Sequence, residues 1–174
     1  AMRRTYDRGR YLDRVALIRE HVPDVALTTD IIVGFPGETD DDFEQTLDVV
    51  EEVGYDSAFT FIFSPRRGTE AADLDGRLPH PVKRERMERL VEAVQRRATE
   101  RARRFVGRTT EVLVEGTSRT DETRWRGRTR HNKTVNFVAD PAAAPAPGEL
   151  VDVEITSATS TTLAGEARAL SAVR

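Results

Sequence analysis

The hydrophobic period of this chain changes once, near residue 107, and that change restricts the fold more than any single motif does. Before it, apolar residues recur at helical spacing or in short unbroken runs. After it, they alternate with polar residues in short segments separated by turn formers. A half-exposed strand has a period of two and a helix one of about 3.6, so the two textures cannot belong to one kind of layer. The 174 residues are therefore expected to divide into an α/β part, 1–105, and an all-β part, 106–174. Each part has the length of a small domain.

In the first part, Tyr11, Val15, Ile18 and Val22 recur at helical spacing from about Asp7, and Pro23 closes the segment. Val25 to Phe35 contains the β-branched run Ile31-Ile32-Val33 and ends at Gly34 and Pro36, which reads as a strand covered on both faces. Thr39 then has the character of an N-cap, followed by Asp40, Asp41 and Asp42 in the first helical turn and an apolar stripe of Phe43, Leu47 and Val50. That helix should end near Gly54, and Ser57 to Phe63 should form a second buried strand before the loop 64–69. A long helix is expected from about Val82 to Phe105, with Met87, Leu90, Val91, Val94 and Ala98 on one side. The order is αβαβα. Two parallel strands make a small sheet with open edges, so this part is expected to be the end of a larger α/β domain, and self-association through those edges is expected as well.

The second part offers five short strands: Thr110–Glu115, about Thr123–Thr129, Thr134–Val138, Glu149–Ser157 and Thr162–Ala167. The Pro- and Ala-rich stretch 140–148 reads as a loop between the third and fourth of them. Five strands of this kind suggest a small closed barrel.

Composition narrows the chemistry. With no cysteine, the chain offers no disulfide, no thiolate zinc site, no iron–sulfur ligand and no cysteine nucleophile. His21, His80 and His131 are scattered without metal-ligand spacing, and no serine-nucleophile elbow is present, so neither a metal nor a catalytic residue is assigned. No apolar run approaches the roughly 18 residues of a membrane span, and a cytoplasmic protein is expected. The net charge of −3 hides a segregation. Residues 30–56 carry ten acidic groups and no basic one, 83–104 carry nine basic against four acidic, and 117–133 carry six basic against two acidic. Basic clusters of that kind are candidate contacts for phosphates.

The densest motif is the string from Thr29 to Thr39, TDIIVGFPGET, in which two glycines and a proline sit between a strand and an acidic helix. In an α/β barrel such a strand end faces the substrate. Together with Met2-Arg3-Arg4-Thr5-Tyr6, the loop motif FIFSPRRGT at 61–69, Val82-Lys83, Glu85-Arg86, the string VLVEG at 112–116 and Gly127-Arg128-Thr129, it closely resembles the second half of the radical-SAM methylthiotransferases of the MiaB type. The resemblance spans essentially the whole chain and keeps one order of motifs. It implies the C-terminal portion of a radical-SAM, partial TIM-type barrel followed by an OB-like TRAM β-barrel.

The resemblance further implies an RNA-modifying enzyme that uses S-adenosylmethionine and two [4Fe-4S] clusters. The cysteines holding those clusters would lie in a missing N-terminal half of the same protein, so this chain alone is expected to be inactive. By the same resemblance, Arg4 would meet the methionyl carboxylate, Asp30 would accept a hydrogen bond from the cofactor, Gly34 and Phe35 would lie against adenine, and Ser64 would flank it from the next strand. Glu38 falls near the last residue of the class motif but at altered spacing, which favours a role at the helix start.

The second expected site is the basic loop of the barrel. Arg119, Arg124, Arg126, Arg128, Arg130 and Lys133 surround Trp125 and His131, placing cations beside rings that can stack on bases. Strand alternation puts 124, 126, 128 and 130 on one face and turns Trp125 the other way, toward the core. The expected partner is a tRNA anticodon stem-loop, and the resemblance points to methylthiolation of N6-isopentenyladenosine at C2. The threonylcarbamoyladenosine branch, the branch acting on a ribosomal-protein aspartate, and a stand-alone RNA-binding module are the alternatives.

Overall fold

The structure, a computed structural model, describes residues 5–168. Its elements follow the order α1 (Arg8–His21), β1 (Thr28–Val33), α2 (Asp40–Val53), β2 (Ser57–Ile62), α3 (His80–Ala102), β3 (Thr109–Thr117), β4 (Trp125–Thr129), β5 (Thr134–Val138), β6 (Leu150–Ala158) and β7 (Thr162–Ala167). The chain forms two compact units, 1–97 and 98–174. The division lies within α3, earlier than the change of hydrophobic period, because Ala102 and Phe105 are buried in the core of the second unit.

In the first unit, β1 and β2 pair in parallel, with Thr28 opposite Ser57 and Val33 opposite Ile62. Three helices supply the core: Val15 from α1, Phe43, Val50 and Val53 from α2, and Leu90, Ala93 and Val94 from α3 pack with Val33 and Tyr55. The expectation of strands buried on both faces is corrected here. Exposure alternates along β1 and through most of β2, leaving Ile32 42%, Phe59 66% and Phe61 50% exposed beside Asp30. Alternate residues of a strand point to opposite faces, and the helices of this unit cover only the side that carries Ile31, Val33 and Ala58. A continuous β-branched run therefore disguises a one-sided sheet.

The start of α2 is tied down as its sequence suggests. The Thr39 hydroxyl accepts from the Asp42 amide at 3.1 Å and the Asp42 carboxylate accepts from the Thr39 amide at 2.9 Å, which completes a capping box. The Thr39 backbone amide, and then its hydroxyl, hold the Asp42 carboxyl below the usual carboxylate range.

The second unit is a closed barrel of order β3-β4-β5-β7-β6, the architecture expected from the alternation. Val112, Val114, Val135, Phe137, Val153, Ile155 and Leu163 point inward and are essentially inaccessible, with Trp125 packed against them. Gly127 and Gly165 mark the tightest approaches between strands. A Cβ on Gly127 would lie 2.5 Å from Val112 Cγ1, and one on Gly165 would lie 2.7 Å from Val153 Cγ1. The stretch 140–148 is a loop, as expected, with one short 3-10 turn at Pro141–Ala143.

Candidate functional site

The C-terminal end of β1 turns into α2 through Gly34-Phe35-Pro36-Gly37, and Glu38 organises this turn. Gly34 has φ 73°, a conformation open to glycine at little cost, and its amide donates to Glu38 Oε2 at 3.0 Å. The Phe35 amide reaches the same oxygen at 3.4 Å. The other carboxylate oxygen accepts from Arg86 Nη1 at 2.5 Å, while Arg86 Nη2 binds Asp40 at 2.5 Å and Nη1 also binds the Glu38 carbonyl at 3.2 Å. Arg86 has a side chain only 4% exposed and lies against the Phe43 ring. Burial pulls its pKa down, and the hydrogen bonds to Asp40 and Glu38 more than offset that, so the guanidinium stays charged.

Phe35 meets Phe63 edge-on with centroids 5.0 Å apart, and Lys83 Nζ lies 5.9 Å from the centroid of the Phe63 ring. The stem of Lys83 passes Gly34 so closely that a Cβ there would lie 2.7 Å from its Cγ. Beside β1 a cavity of about 530 Å³ is lined by Tyr6, Tyr11, Asp30, Ile32, Phe35 and Tyr55 among others. Its floor contains a hydroxyl pair, Tyr11 and Tyr55, at 2.6 Å. Burial and then the Tyr11 hydrogen bond push the Tyr55 phenol well above its ordinary value.

Of the residues expected at a cofactor wall, Asp30 lies on the open face of β1, opposite Phe59, and accepts no hydrogen bond from any described residue. Gly34 and Phe35 form the turn, but both are buried and their amides are already engaged. Ser64 is exposed just after β2. Arg4 lies outside the described residues. Sequence reasoning missed Arg86 and Lys83 as neighbours of the turn. A signal for Arg86 was present, since position 86 precedes Leu90 by one helical turn and therefore shares the apolar stripe of α3.

The barrel arginines occupy the outer side of β4 and its flanking loops. Arg126 and Arg128 share one face, across from Asn136 and Thr134 of β5, while Trp125, Gly127 and Thr129 face the interior as alternation requires. Glu115 pairs with Arg126 at 3.3 Å and with Arg128 at 2.8 Å, and Asp121 pairs with Arg124 at 3.1 Å. Asp121 is itself held below the usual carboxylate range by the Thr123 hydroxyl and amide. Arg119 and Arg130 are exposed with no ion-pair partner among the described residues. The hairpin between β4 and β5 is closed by Asn132 at φ 58°, and Asn132 Oδ1 accepts from Arg128 at 3.0 Å. Lys133 departs from the expected group, being only 6% exposed. Its amide and that of His131 both donate to the Thr129 hydroxyl, which draws this end of the hairpin inward.

The basic run 83–104 also changes meaning. Arg86, Arg89, Arg96 and Arg97 are matched to Glu38, Asp40, Glu44 and Glu51 from the acidic run. Much of the charge of both segments is thus neutralised within the first unit.

Residues 103–167 match the TRAM domain and residues 1–50 match the Radical SAM superfamily. The radical SAM match thus precedes the TRAM match along the chain. It is 52% identical over 165 residues to a tRNA-2-methylthio-N(6)-dimethylallyladenosine synthase of Clostridium botulinum and 50% identical to one of Clostridium perfringens. Each match covers 95% of this chain, and the chain spans 36% of the length of these curated relatives. The resemblance drawn from the motifs is borne out. The TRAM match takes in the closed barrel with its arginine face, and the radical SAM match takes in α1, β1, the Gly34–Glu38 turn and most of α2. Among the described residues no group of side chains fits a metal ion and no helix is long and apolar enough to cross a membrane.

Proposed function

We propose that this chain is the C-terminal part of a tRNA methylthiotransferase that places a methylthio group on C2 of N6-isopentenyladenosine next to the anticodon. The similarity to synthases of that name across 95% of the chain carries the reading. An iron–sulfur cluster does not fit the donors of this chain, because it contains no cysteine. The two [4Fe-4S] clusters and their electron and sulfur chemistry thus belong to the N-terminal half, and this chain alone is inactive. S-adenosylmethionine fits the open face in part. Asp30 supplies an unpartnered carboxylate that can accept from a hydroxyl or ammonium, and Ile32, Phe59 and Phe61 supply apolar surface for a nucleoside. Gly34, Phe35 and Ser64 border this wall, with Arg4 a further contact by resemblance.

In this reading the TRAM barrel grips the anticodon stem-loop in the cytoplasm through Arg119, Arg124, Arg126, Arg128 and Arg130, with the more buried Lys133 beside them. Arginine suits this role because its fork meets phosphate oxygens in pairs. The test has two arms. The chain should bind an anticodon stem-loop with an affinity that falls steeply with salt, and joining the chain to its cysteine-bearing half should give S-adenosylmethionine cleavage that Asp30→Ala impairs. Salt-independent RNA binding, or cleavage indifferent to Asp30→Ala, would refute the corresponding assignment.

A further inference from the structure

The Gly34–Glu38 turn looks like a phosphate cradle and is already filled. Two successive backbone amides, Gly34 and Phe35, converge on one oxygen, the geometry by which glycine loops bind anions. Here the anion is the chain's own Glu38 carboxylate, and its countercharge is the buried Arg86 guanidinium 2.5 Å away. The neighbouring helix start offers no vacancy either, since Thr39 and Asp42 close α2 and Asp40 is held by Arg86.

We propose that Arg86, acting through Glu38, is the positioning residue that turns both amides of this loop inward, so that the loop serves an apolar or hydrogen-bond-donating ligand group and rejects phosphate. This rests on the reading that the end of β1 faces a nucleoside ligand, and it names the chemistry that side of the pocket accepts. The Phe35 carbonyl accepts from the Glu38 amide at 3.0 Å, whereas the Gly34 carbonyl accepts from no described residue and remains available to a donor. Arg86 can set this polarity because its fork spans two carboxylates that a lysine ammonium could not bind in the same way. The surroundings resist relaxation. The Phe43 ring lies under the guanidinium, and the Lys83 stem stands against Gly34.

The test uses the full 174-residue chain, labelled for amide NMR, as wild type, Arg86→Gln, Arg86→Lys, Glu38→Gln and Glu38→Ala. Hydrogen exchange at the Gly34 and Phe35 amides should quicken by about tenfold in Arg86→Gln relative to core amides such as Val50, and by less in Arg86→Lys. Glu38→Ala should empty the cradle. Inorganic phosphate or acetate should then shift these two amides, and neither should do so in wild type. A merely structural Arg86 would change exchange at positions 34, 35 and 50 together, and that outcome overturns the proposal, as does phosphate shifting the wild-type amides. Should Arg86→Gln fail to fold, Glu38→Gln decides by the same two amides. A separate arm joins the chain to the cysteine-bearing half and measures S-adenosylmethionine affinity, which should fall about tenfold in Arg86→Gln. If the joined wild type binds no S-adenosylmethionine, the functional reading fails, while the amide measurements still decide the role of Arg86.

Discussion

Gly127 sits between the two arginines of β4, and replacing it tests whether the stability of the barrel depends on the close approach of β3 and β4. An alanine Cβ would lie 2.5 Å from Val112 Cγ1 and 3.0 Å from the Leu113 carbonyl carbon, and closer still to the carbonyl oxygen. The first neighbour is a fully buried side chain and the second is backbone in the β3–β4 ladder, where Leu113 is paired with Arg128. Neither can retreat without opening the barrel, so Gly127→Ala should cost the roughly 1–3 kcal/mol typical of overpacking, at the upper end of that range. For a unit of this size that corresponds to a fall in Tm of about 4–8 °C per kcal/mol. The assay is built into the chain. Trp125 is its sole tryptophan and packs against the barrel core, so its fluorescence follows barrel unfolding in the full protein. A Gly127→Ala protein that melts by this signal at the wild-type temperature would refute the close-approach argument.

Phe137 is wholly buried in the barrel, and Phe137→Ala should destabilise it by about 3–5 kcal/mol, read by the same fluorescence. Arg119→Ala and Arg130→Ala should each weaken stem-loop binding similarly across sequences and lower the magnitude of the salt slope by about one, whereas Arg89→Ala, paired with Glu44, should leave the slope unchanged. Because the Tyr55 phenol is raised in the folded state, the unfolded chain loses this proton first, at about pH 10. The first unit should therefore lose stability above that pH by up to about 1.4 kcal/mol per pH unit, and Tyr55→Phe should remove that part of the slope in alkaline denaturation. Equal slopes for the two proteins would show that the phenol titrates normally.

The barrel was legible because most of its strands obey one rule. Val135 and Phe137 alternate with Thr134 and Asn136 in β5, and Val151, Val153 and Ile155 with Asp152, Glu154 and Thr156 in β6, and such a pattern has few solutions other than a sheet with one buried face. The same rule failed at Ile31-Ile32-Val33, where an exposed Ile32 looks no different in sequence from a buried one. Local pattern reports the propensity of a residue, whereas exposure depends on which layers are packed against it. At the candidate sites, residue type was informative and environment was not. Arg126 and Arg128 emerged on one face as alternation demanded, but Lys133 is buried at a hairpin whose left-handed Asn132 and amide bonds to the Thr129 hydroxyl no charge pattern announces.

The two basic segments show why charge runs must be read against their spatial partners. Along the sequence, 83–104 is the stronger cluster and 117–133 the weaker. In space the order reverses. The helix arginines face the acidic groups of α2 and its approach, so Arg86, Arg89, Arg96 and Arg97 are occupied in holding α3 to α2. The barrel arginines share only Glu115 and Asp121, and two of them meet no carboxylate among the described residues. An arginine whose partner is a neighbouring helix contributes fold, and its exchange for a phosphate contact would leave a carboxylate unpaired. An arginine with no such partner can neutralise phosphate at no internal cost, which is why the weaker run in sequence offers the more available cations, those on which the proposed grip on RNA relies.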